Sequence, residues 1–344
     1  MLSFQQIKAV GGISILLLGG GAYLFHEKIG IVFTKLRDRL PFLARRKIPV
    51  SVNYHFTRVC NAECGFCFHT AKSSYRAPLE DAKLGLLMLK RAGMRKMNFA
   101  GGEPFMYPKF LGELLEFCRD ELQLESISIV TNGTKVTEKF LEKYGRCIDI
   151  LAVSCDSFDA KTNIEIGRGK DGGNREQLFR IAEWCHEYGI KFKLNTVVCK
   201  LNYHEDMVDT VEQLGPFRWK CFQVLMVEGE NDSEKTLRDV RKFQITDEQY
   251  EEFCDRHKHL KCFVPESNKV MAGSYLILDE FLRFLDKADG IETASDSILE
   301  VGVQKALEQV RWDEESFEKR GGVYDWSKEV AAGCGEGLDK ALEF

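Results

Sequence analysis

Three cysteines stand close together in the stretch CNAECGFCFHT, residues 60–70. Cys60, Cys64 and Cys67 are spaced four and three positions apart, and the next cysteine along the chain is Cys118. A structural zinc ion usually takes four protein ligands, so three thiols need another explanation. They could ligate three irons of a four-iron cubane, bind a catalytic zinc whose fourth ligand is water, or be ordinary core residues.

Four cations, Lys96, Lys193, Arg218 and Lys220, lie inside stretches that are typical of strands. A solvated edge position is the simpler explanation for any one of them. Arg218 and Lys220 are two positions apart, however, and so share one face of their strand. Inward-pointing cations between parallel strands need an anion to offset their desolvation, so several that converge on one mouth indicate a polyphosphate. Arg168, in IGRGKDGG, adds a guanidinium suited to phosphate oxygens.

The elements that position these residues follow Val50 as alternating β-branched runs and amphipathic stretches. The predicted strands are residues 51–57, 96–100, 126–130, 149–154, 191–198 and 217–225, and the predicted helices between them are 79–93, 109–121, 137–144, 175–189 and 205–214. This alternation indicates an α/β fold built from parallel βα units with right-handed crossovers. Because six units are fewer than the eight of a closed barrel, we expect a partial (βα)6 barrel with an open side.

The sequence divides into three predicted regions: a membrane anchor with a basic linker (1–48), the partial barrel (49–245), and a C-terminal extension that closes the barrel and its substrate pocket (246–344). Tail helices over residues 247–260 and 274–286 are expected to cover the opening. The cysteine triplet follows the first predicted strand and therefore lies at the carboxyl end of the sheet, where barrel enzymes place their chemistry.

Composition restricts the possible functions. The chain has 344 residues, 44% of them hydrophobic, and a net charge of −5, which argues against a nucleic-acid partner. Of its twelve cysteines, all but the triplet are scattered singly, which is typical of reduced thiols in the cytosol. No Walker loop is present in the sequence, which argues against ordinary phosphoryl transfer.

The N-terminal residues predict contact with a membrane. Residues 9–25, AVGGISILLLGGGAYLF, carry no charge, and a basic stretch follows them. Because the basic residues come after the apolar run, we expect an uncleaved anchor with the body of the protein on the cytosolic side. The apolar run is at the short limit for spanning and is rich in glycine, so a helix lying in the interface is the alternative.

A second motif, NFAGGEPF (98–105), ends the second predicted strand. Gly101 and Gly102 allow a ligand to approach the backbone closely, and Glu103 can accept hydrogen bonds from an ammonium group. A GGE turn alone is common between a strand and a helix. Together with CxxxCxxC one βα unit earlier, it resembles the radical S-adenosylmethionine (SAM) superfamily.

That resemblance implies that Cys60, Cys64 and Cys67 ligate a 4Fe–4S cluster whose open iron chelates the methionyl amino and carboxylate groups of SAM. The GGEP turn then contacts the amino group, and Asn132 and Ser154, at the ends of later strands, help to hold the cofactor. Reductive cleavage of SAM, by an external reductant, supplies a 5′-deoxyadenosyl radical that abstracts hydrogen from the substrate.

A narrower resemblance covers residues 49–328 and is carried by SVNYHFTRVCNAECGFCFHTAK, SCDSFD, IGRG, VEGEN, VPESN, SYLILDE and KRGGVYDWSK. These motifs are similar to those of the viperin family, antiviral radical enzymes that convert CTP to 3′-deoxy-3′,4′-didehydro-CTP by abstracting the ribose 4′ hydrogen. The resemblance implies that Tyr275 lies near the ribose. It also implies a set of nucleotide and triphosphate contacts: Lys96, Asn98, Arg168, Lys193, Arg218 and Lys220.

The same resemblance predicts location and partners. Vertebrate members of the family attach to the cytosolic face of the endoplasmic reticulum and to lipid droplets through an amphipathic helix, where this chain has a glycine-rich apolar run. They end in a tryptophan-terminated segment that recruits the cytosolic iron–sulfur assembly machinery, whereas this chain ends GLDKALEF. Membrane association is expected from the apolar run, and the assembly machinery is a candidate partner.

Two other functions compete with this hypothesis. One is a radical SAM enzyme that acts on another nucleotide such as UTP, on another phosphorylated compound, or on a peptide. Peptide-modifying relatives usually add a cysteine-rich C-terminal domain, and the cysteines of this tail are sparse. The other is a membrane-anchored interaction protein with a structural metal site.

Overall fold

The computed structural model describes residues 46–169, 175–271, 273–287, 292–319, 321–324 and 326–328. The predicted anchor, residues 9–25, and the final GLDKALEF lie outside the described residues. Within the described ranges, no helix combines the length and the apolar character that a membrane crossing requires.

The six predicted strands are all present and all parallel to their neighbours. Their β-branched and aromatic runs suit a sheet covered by helices on its outer face. The strands are β1 (Ser51–His55), β2 (Lys96–Ala100), β3 (Ser126–Thr131), β4 (Ile150–Ser154), β5 (Lys191–Val198) and β6 (Arg218–Gln223).

Helices connect these strands, as the apolar spacing predicts. Most begin at a side chain that accepts a backbone N–H, such as Thr137, Asp159 and Thr246, or at a proline, because the first turn of a helix leaves its N–H groups unpaired. They are α1 (Leu79–Arg91), α2 (Pro108–Glu116), α3 (Glu138–Tyr144), α4 (Ala160–Ile166), α5 (Arg175–Glu187), α6 (Val208–Leu214) and α7 (Asp247–His257).

The C-terminal region extends the same sheet at both edges. In the described residues the strand order is β10-β9-β8-β1-β2-β3-β4-β5-β6-β7, so the predicted boundary at residues 245 and 246 falls within one continuous sheet. The added elements are β7 (Phe263–Glu266), α8 (Asn268–Met271), β8 (Ile277–Leu278), β9 (Arg283–Asp286), β10 (Thr293–Ser297), α9 (Ile298–Val301), α10 (Val303–Glu308) and α11 (Glu314–Lys319).

The helix predicted over residues 274–286 is wrong, because this segment forms β8, a tight turn and β9. The Asp279 side chain accepts hydrogen bonds from the backbone N–H groups of Phe281 and Arg283, which reverses the chain. Leu282 adopts a φ of 61°, a left-handed conformation that a helix excludes. The buried Leu282 side chain packs beside Gly85 of α1, and this contact holds the unfavourable backbone in place.

The main hydrophobic core lies between the outward face of the strands and the helices. Tyr54, Phe99, Ile129, Leu151 and Trp219 are fully buried in it. Their strand neighbours point the other way, since side chains alternate across a strand. The opposite face of the sheet is therefore free to carry polar groups, and it does.

Candidate active site

A cavity of about 880 Å³ lies on the inward face of the parallel strands. Alternate residues of each strand line it, including Asn53 of β1, Asn98 of β2, Ser128 of β3, Asn195 of β5 and Lys220 of β6. Six neighbouring parallel strands thus contribute side chains to one cavity on a single face of the sheet, as the predicted partial barrel would place them. The hydrogen bonds from Asn98 Nδ2 to Asn53 Oδ1 (2.7 Å) and from Ser128 Oγ to Asn98 Oδ1 (2.8 Å) join three of these strands across its wall.

The three cysteines are brought together on the wall of this cavity, directly after β1. Burial raises the pKa of all three thiols, that of Cys64 to about 12. A thiolate in such a place needs a bound cation, and iron supplies one. Within the described ranges, no group of three or more His, Cys, Asp or Glu side chains is already arranged around a single metal ion. A cubane does not require such convergence, because each thiolate binds a separate iron, so this donor set fits a cluster.

The glycines of the GGEP turn allow it to pack against the chain that leads to the cysteines. Gly102 N donates to Thr57 O (2.7 Å), and Glu103 N donates to Val59 O (2.9 Å). A Cβ on Gly101 would lie 2.3 Å from Thr57 O, and Gly101 also has a φ of 127°. A Cβ on Gly102 would lie 2.2 Å from Val59 O. Both glycines line the cavity, but the close approach that requires them is to the protein's own backbone.

Glu103 is fully buried and joins β2 to the end of β3. Its carboxylate accepts hydrogen bonds from Phe105 N (3.0 Å), the Thr131 hydroxyl (2.7 Å) and Asn132 N (2.7 Å). Burial raises its pKa, and these three donors oppose that shift. The side chain is thus committed to protein donors, while the predicted cofactor residues Gly101, Asn132 and Ser154 face the cavity.

A second glycine turn holds the cysteine loop from the other side. Glu63 N donates to Gly167 O (2.8 Å), and a Cβ on Gly167 would lie 2.4 Å from Glu63 O. The neighbouring Arg168 guanidinium pairs with Asp156 and lies 5.9 Å from the Phe66 ring. Arg168 therefore lies at the mouth of the cavity, beside the cysteines. The sequence analysis had grouped it with the cations of the strands as a triphosphate contact, and the structure places it apart from them.

The far end of the cysteine loop is held by buried ion pairs. Arg58 contacts three carboxylates from distant parts of the chain: Glu230 at 3.0 Å, Glu280 at 3.0 Å and Glu292 at 3.1 Å. Glu230, fully buried, also accepts hydrogen bonds from Thr70 N (3.1 Å) and the Thr70 hydroxyl (2.8 Å). These contacts enclose residues 58–70 and leave the cysteine loop anchored at both ends.

The remaining predicted cations line or adjoin the deep end of the cavity rather than its mouth. Lys96 and Arg218 are the first residues of β2 and β6, and Lys193 pairs in register with Arg218. At about 3.3 Å per residue, Lys96 lies about 13 Å from the carboxyl end of β2. Tyr324 closes this end: its hydroxyl accepts from Lys96 Nζ (3.0 Å), and its ring lies 4.3 Å from the Arg218 guanidinium.

Lys193 is the cation most affected by this environment. Burial, aided by the charges of Lys220 and Lys96, lowers its pKa to about 7. Among the described residues, no carboxylate lies within ion-pairing distance of its ammonium group. An anion in the cavity would restore its charge, which is the behaviour expected of a phosphate ligand.

Lys220 and Tyr275 meet at the cavity wall around a carboxylate that the sequence prediction missed. Glu266, at the end of β7, pairs with Lys220 and accepts a hydrogen bond from the Tyr275 hydroxyl. Lys220 Nζ lies 3.0 Å from the same hydroxyl. The available signal was a glutamate at the end of an apolar run, in the motif VPESN, and it became informative only once β7 was known to pair with β6.

Two histidines and one asparagine of the cavity wall were also missed. His55 and His69 stack edge to face with ring centroids 4.5 Å apart, and burial lowers the pKa of both, that of His55 to about 3. Asn53 Nδ2 donates to Leu276 O (3.2 Å) and so links β1 to β8. His55 and Asn53 alternate with the buried core residue Tyr54 along β1, and this period of two was a readable signal for an inward polar face.

Comparison with known proteins agrees with this architecture. Residues 54–214 match the model of the radical SAM superfamily. The chain is similar to the S-adenosylmethionine-dependent nucleotide dehydratase RSAD2 of Siniperca chuatsi, with 53% identity over 81% of this chain and 80% of that protein. The protein of the same name from Danio rerio is 52% identical over 85% of this chain and 81% of its own length.

Solved structures show the same fold at lower identity. Streptococcus suis SuiB bound to S-adenosylmethionine superposes with a TM-score of 0.56 at 18% identity, over 81% of this chain and 69% of that one. The parallel α/β sheet is therefore the radical SAM fold, and the superfamily implies SAM and an iron–sulfur cluster as cofactors. By its relatives, this chain belongs to the family of S-adenosylmethionine-dependent nucleotide dehydratases within the radical SAM superfamily.

Proposed function

We propose that this protein dehydrates CTP to 3′-deoxy-3′,4′-didehydro-CTP, a chain-terminating nucleotide with an antiviral role. The observation that supports it best is that the two ends of one cavity carry different chemical groups. Thiols suited to a cluster line the cavity after the carboxyl end of β1, whereas two of the cations suited to a triphosphate, Lys96 and Arg218, are the first residues of β2 and β6. An elongated anion with a neutral, reactive end would match both.

In this proposal one end of the cavity binds the cofactors and the other end binds the nucleotide. Cys60, Cys64 and Cys67 would hold the cluster, and the GGEP turn with Asn132 and Ser154 would hold SAM. When bound, these groups supply a 5′-deoxyadenosyl radical that takes the ribose 4′ hydrogen.

The other residues of the cavity bind and orient the nucleotide. Lys96, Lys193, Arg218 and Lys220 would bind the phosphates, since charged hydrogen bonds in a dry cavity are strong. Asn98 lies between the two ends, next to Asn53 and Ser128, where a ribose would follow the phosphates. Tyr275, held at the same wall, would face the ribose. The choice of CTP among nucleotides is supported by the family and by no single contact.

One experiment separates this function from its alternatives. The full-length protein is reconstituted with iron and sulfide without oxygen, supplied with SAM and a reductant, and given each of the four ribonucleoside triphosphates. We expect CTP alone to stimulate 5′-deoxyadenosine formation strongly, and deuterium from C4′ of the ribose to appear in that product. Equal stimulation by all four nucleotides, or no transfer of label, would contradict CTP dehydration. Stimulation by UTP alone would change the substrate and retain the reaction class.

We also propose that the N-terminal segment attaches the enzyme to the cytosolic face of the endoplasmic reticulum membrane, with lipid droplets as a second location. The uncharged run at residues 9–25 and the basic residues after it support this. Replacing Leu16 and Leu18 with Asp in the full-length chain should move the protein from the membrane fraction to the supernatant. Unchanged fractionation would contradict the anchor.

A further inference from the structure

Glu266 is a carboxylate with 1% of its surface exposed, buried behind two residues that line the cavity, Lys220 and Tyr275. It lies in β7, outside the six strands that carry the predicted ligands. One carboxylate oxygen, Oε1, pairs with the Lys220 ammonium, and the other, Oε2, accepts the hydrogen bond from the Tyr275 hydroxyl. Lys220 Nζ is also 3.0 Å from the Tyr275 hydroxyl oxygen, so the three groups form a closed triangle.

A carboxylate in this position opposes the binding of phosphates. Its negative charge offsets that of Lys220 directly and acts on Lys193 only at longer range, because Lys193 forms no ion pair among the described residues. A site that had only to attract a triphosphate would gain affinity without Glu266, because like charges in a dry cavity repel strongly. The second contact of Glu266, with Tyr275, offers a reason for its presence.

The triangle determines the direction of the tyrosine hydroxyl. The Tyr275 O–H donates toward Glu266, and the Lys220 ammonium donates to the same phenol oxygen. Both contacts restrict rotation about the phenol C–O bond and hold the ring at the cavity wall, which Tyr275 lines. Charged hydrogen bonds of this kind are short and directional, so they position a group well.

We propose that Glu266 is a positioning residue for Tyr275: it fixes the ring and the direction of its hydroxyl relative to the substrate. The proposal rests on the proposed function, in which Tyr275 faces the ribose of the nucleotide. Glu266 itself need not touch the nucleotide. Its effect on the reaction therefore passes through Tyr275 and is absent when Tyr275 lacks a hydroxyl.

A double-mutant cycle tests this dependence in the full-length, reconstituted protein. Glu266→Gln and Tyr275→Phe should each lower the yield of dehydrated nucleotide per 5′-deoxyadenosine by a similar factor, and the double variant should be no worse than either. CTP binding to Glu266→Gln, measured by equilibrium dialysis, should be unchanged or tighter. Losses that multiply in the double variant, or weaker binding with a normal product ratio, would overturn the proposal. Glu251→Gln, an exposed glutamate of α7, is the matched control.

A second readout needs no nucleotide and no cluster. In protein labelled with 3-fluorotyrosine, the Tyr275 resonance is assigned by its absence in Tyr275→Phe. It should shift or broaden in Glu266→Gln and stay in place in Glu251→Gln. An unchanged resonance overturns the positioning role. A changed resonance in a protein that does not dehydrate CTP would leave the positioning contact standing and refute the proposed reaction instead.

Discussion

Arg58 and Glu230 form a buried ion pair, with Arg58 Nη1 3.0 Å from Glu230 Oε1, across 172 positions of sequence. Arg58 lies two residues before Cys60, and Glu230 also holds Thr70, three residues after Cys67. The next residue, Asn231, also contacts the cysteine loop, because its Nδ2 donates to Phe66 O (3.0 Å). The segment VEGEN therefore connects to the cysteine loop on both sides of Cys67.

Glu230→Gln should lower both the stability of the protein and its iron content. Removing one charge of a buried pair costs about 3–5 kcal/mol, and here the cost falls on the cysteine loop. Despite burial, which raises it, the pKa of Glu230 is held at about 2 by the Lys72 ammonium, the Arg58 guanidinium and the Thr70 donors. Its contribution is therefore complete above the ordinary glutamate pKa and is lost as the pH falls toward 2. Urea unfolding of the iron-free protein and iron per chain after reconstitution measure the two effects.

Glu228→Gln is the control for that substitution, because Glu228 belongs to the same motif and is exposed. It should leave both stability and iron content unchanged. Equal iron content in the Glu228 and Glu230 variants would show that the ion pair does not support the cluster loop.

Cys64→Ala should abolish the broad iron–sulfur absorbance and all cleavage of SAM, because each thiolate binds a separate iron. The matched control is Cys199→Ala, which removes a fully buried thiol from the same hydrophobic cluster as Cys64. Both variants lose similar packing, so only the ligand role distinguishes them. A full complement of iron in Cys64→Ala would contradict the cluster assignment.

Gly101→Ala should destabilise the protein by about 2–6 kcal/mol, the sum of a strained φ and a forced contact, each worth about 1–3 kcal/mol. Gly189→Ala provides the comparison, because Gly189 also has a positive φ, 61°, but a Cβ there would meet nothing within 4 Å. It should cost only about 1–2 kcal/mol. Urea unfolding of the iron-free proteins measures both, and equal losses would refute the close packing of the GGEP turn on Thr57.

Binding of CTP should weaken as the pH rises above about 7. The pKa of Lys193 is lowered to about 7 in the free protein, so at higher pH the ammonium must regain a proton when phosphates bind. Affinity should fall by at most about tenfold per pH unit, with proton uptake visible when calorimetry is repeated in buffers of different ionisation enthalpy. Lys193→Met should bind more weakly and lose this proton uptake. An unaltered proton uptake in that variant would assign the titration to another group.

The same depressed pKa predicts an effect on the free protein. The unfolded chain binds the Lys193 proton up to about pH 10.4, whereas the folded chain releases it near 7. Unfolding therefore takes up a proton between these values, and this group adds stability as the pH rises through that window. Lys193→Met should remove that part of the pH dependence of urea unfolding.

Lys220→Ala should weaken CTP binding by about 1.5–3 kcal/mol, the range for charged hydrogen bonds, or about one to two orders of magnitude in Kd. CDP and CMP should bind the native protein progressively more weakly than CTP. Lys200→Ala, an exposed lysine just after β5, serves as the control and should bind normally. If Lys220→Ala bound all three nucleotides as the native protein does, the phosphates would have to lie elsewhere.

Local patterns determined the parallel strands and the place of the cysteines. The period-two alternation of Asn53, Tyr54 and His55 identifies β1, and CxxxCxxC directly after it locates the thiols at the carboxyl end of the sheet. These features depend on neighbours in sequence, because strand periodicity and motif spacing are local properties. The same is true of the GGEP turn, whose glycines were predicted to allow a close approach.

Tertiary packing decided what those residues contact. Gly101 was expected to admit a ligand and proves to be needed for the approach of Thr57. Arg168 pairs with Asp156 at the mouth, whereas Lys96 and Lys193 line the deep end. The position of a cation along its own strand does not show how deep in the cavity it lies, because that depth depends on the register between strands far apart in sequence.

The C-terminal region shows most clearly what sequence patterns omit. Residues 274–286 have helix-like apolar spacing, yet pairing with β1 and the burial of Leu282 convert them into strands. Glu266 meets Lys220 and Tyr275 only because β7 pairs with β6 on one side of the cavity and the chain returns past it. The sequence therefore determined the α/β class, the thiols and the cations, and the long-range pairing of strands decided which carboxylate faces each cation.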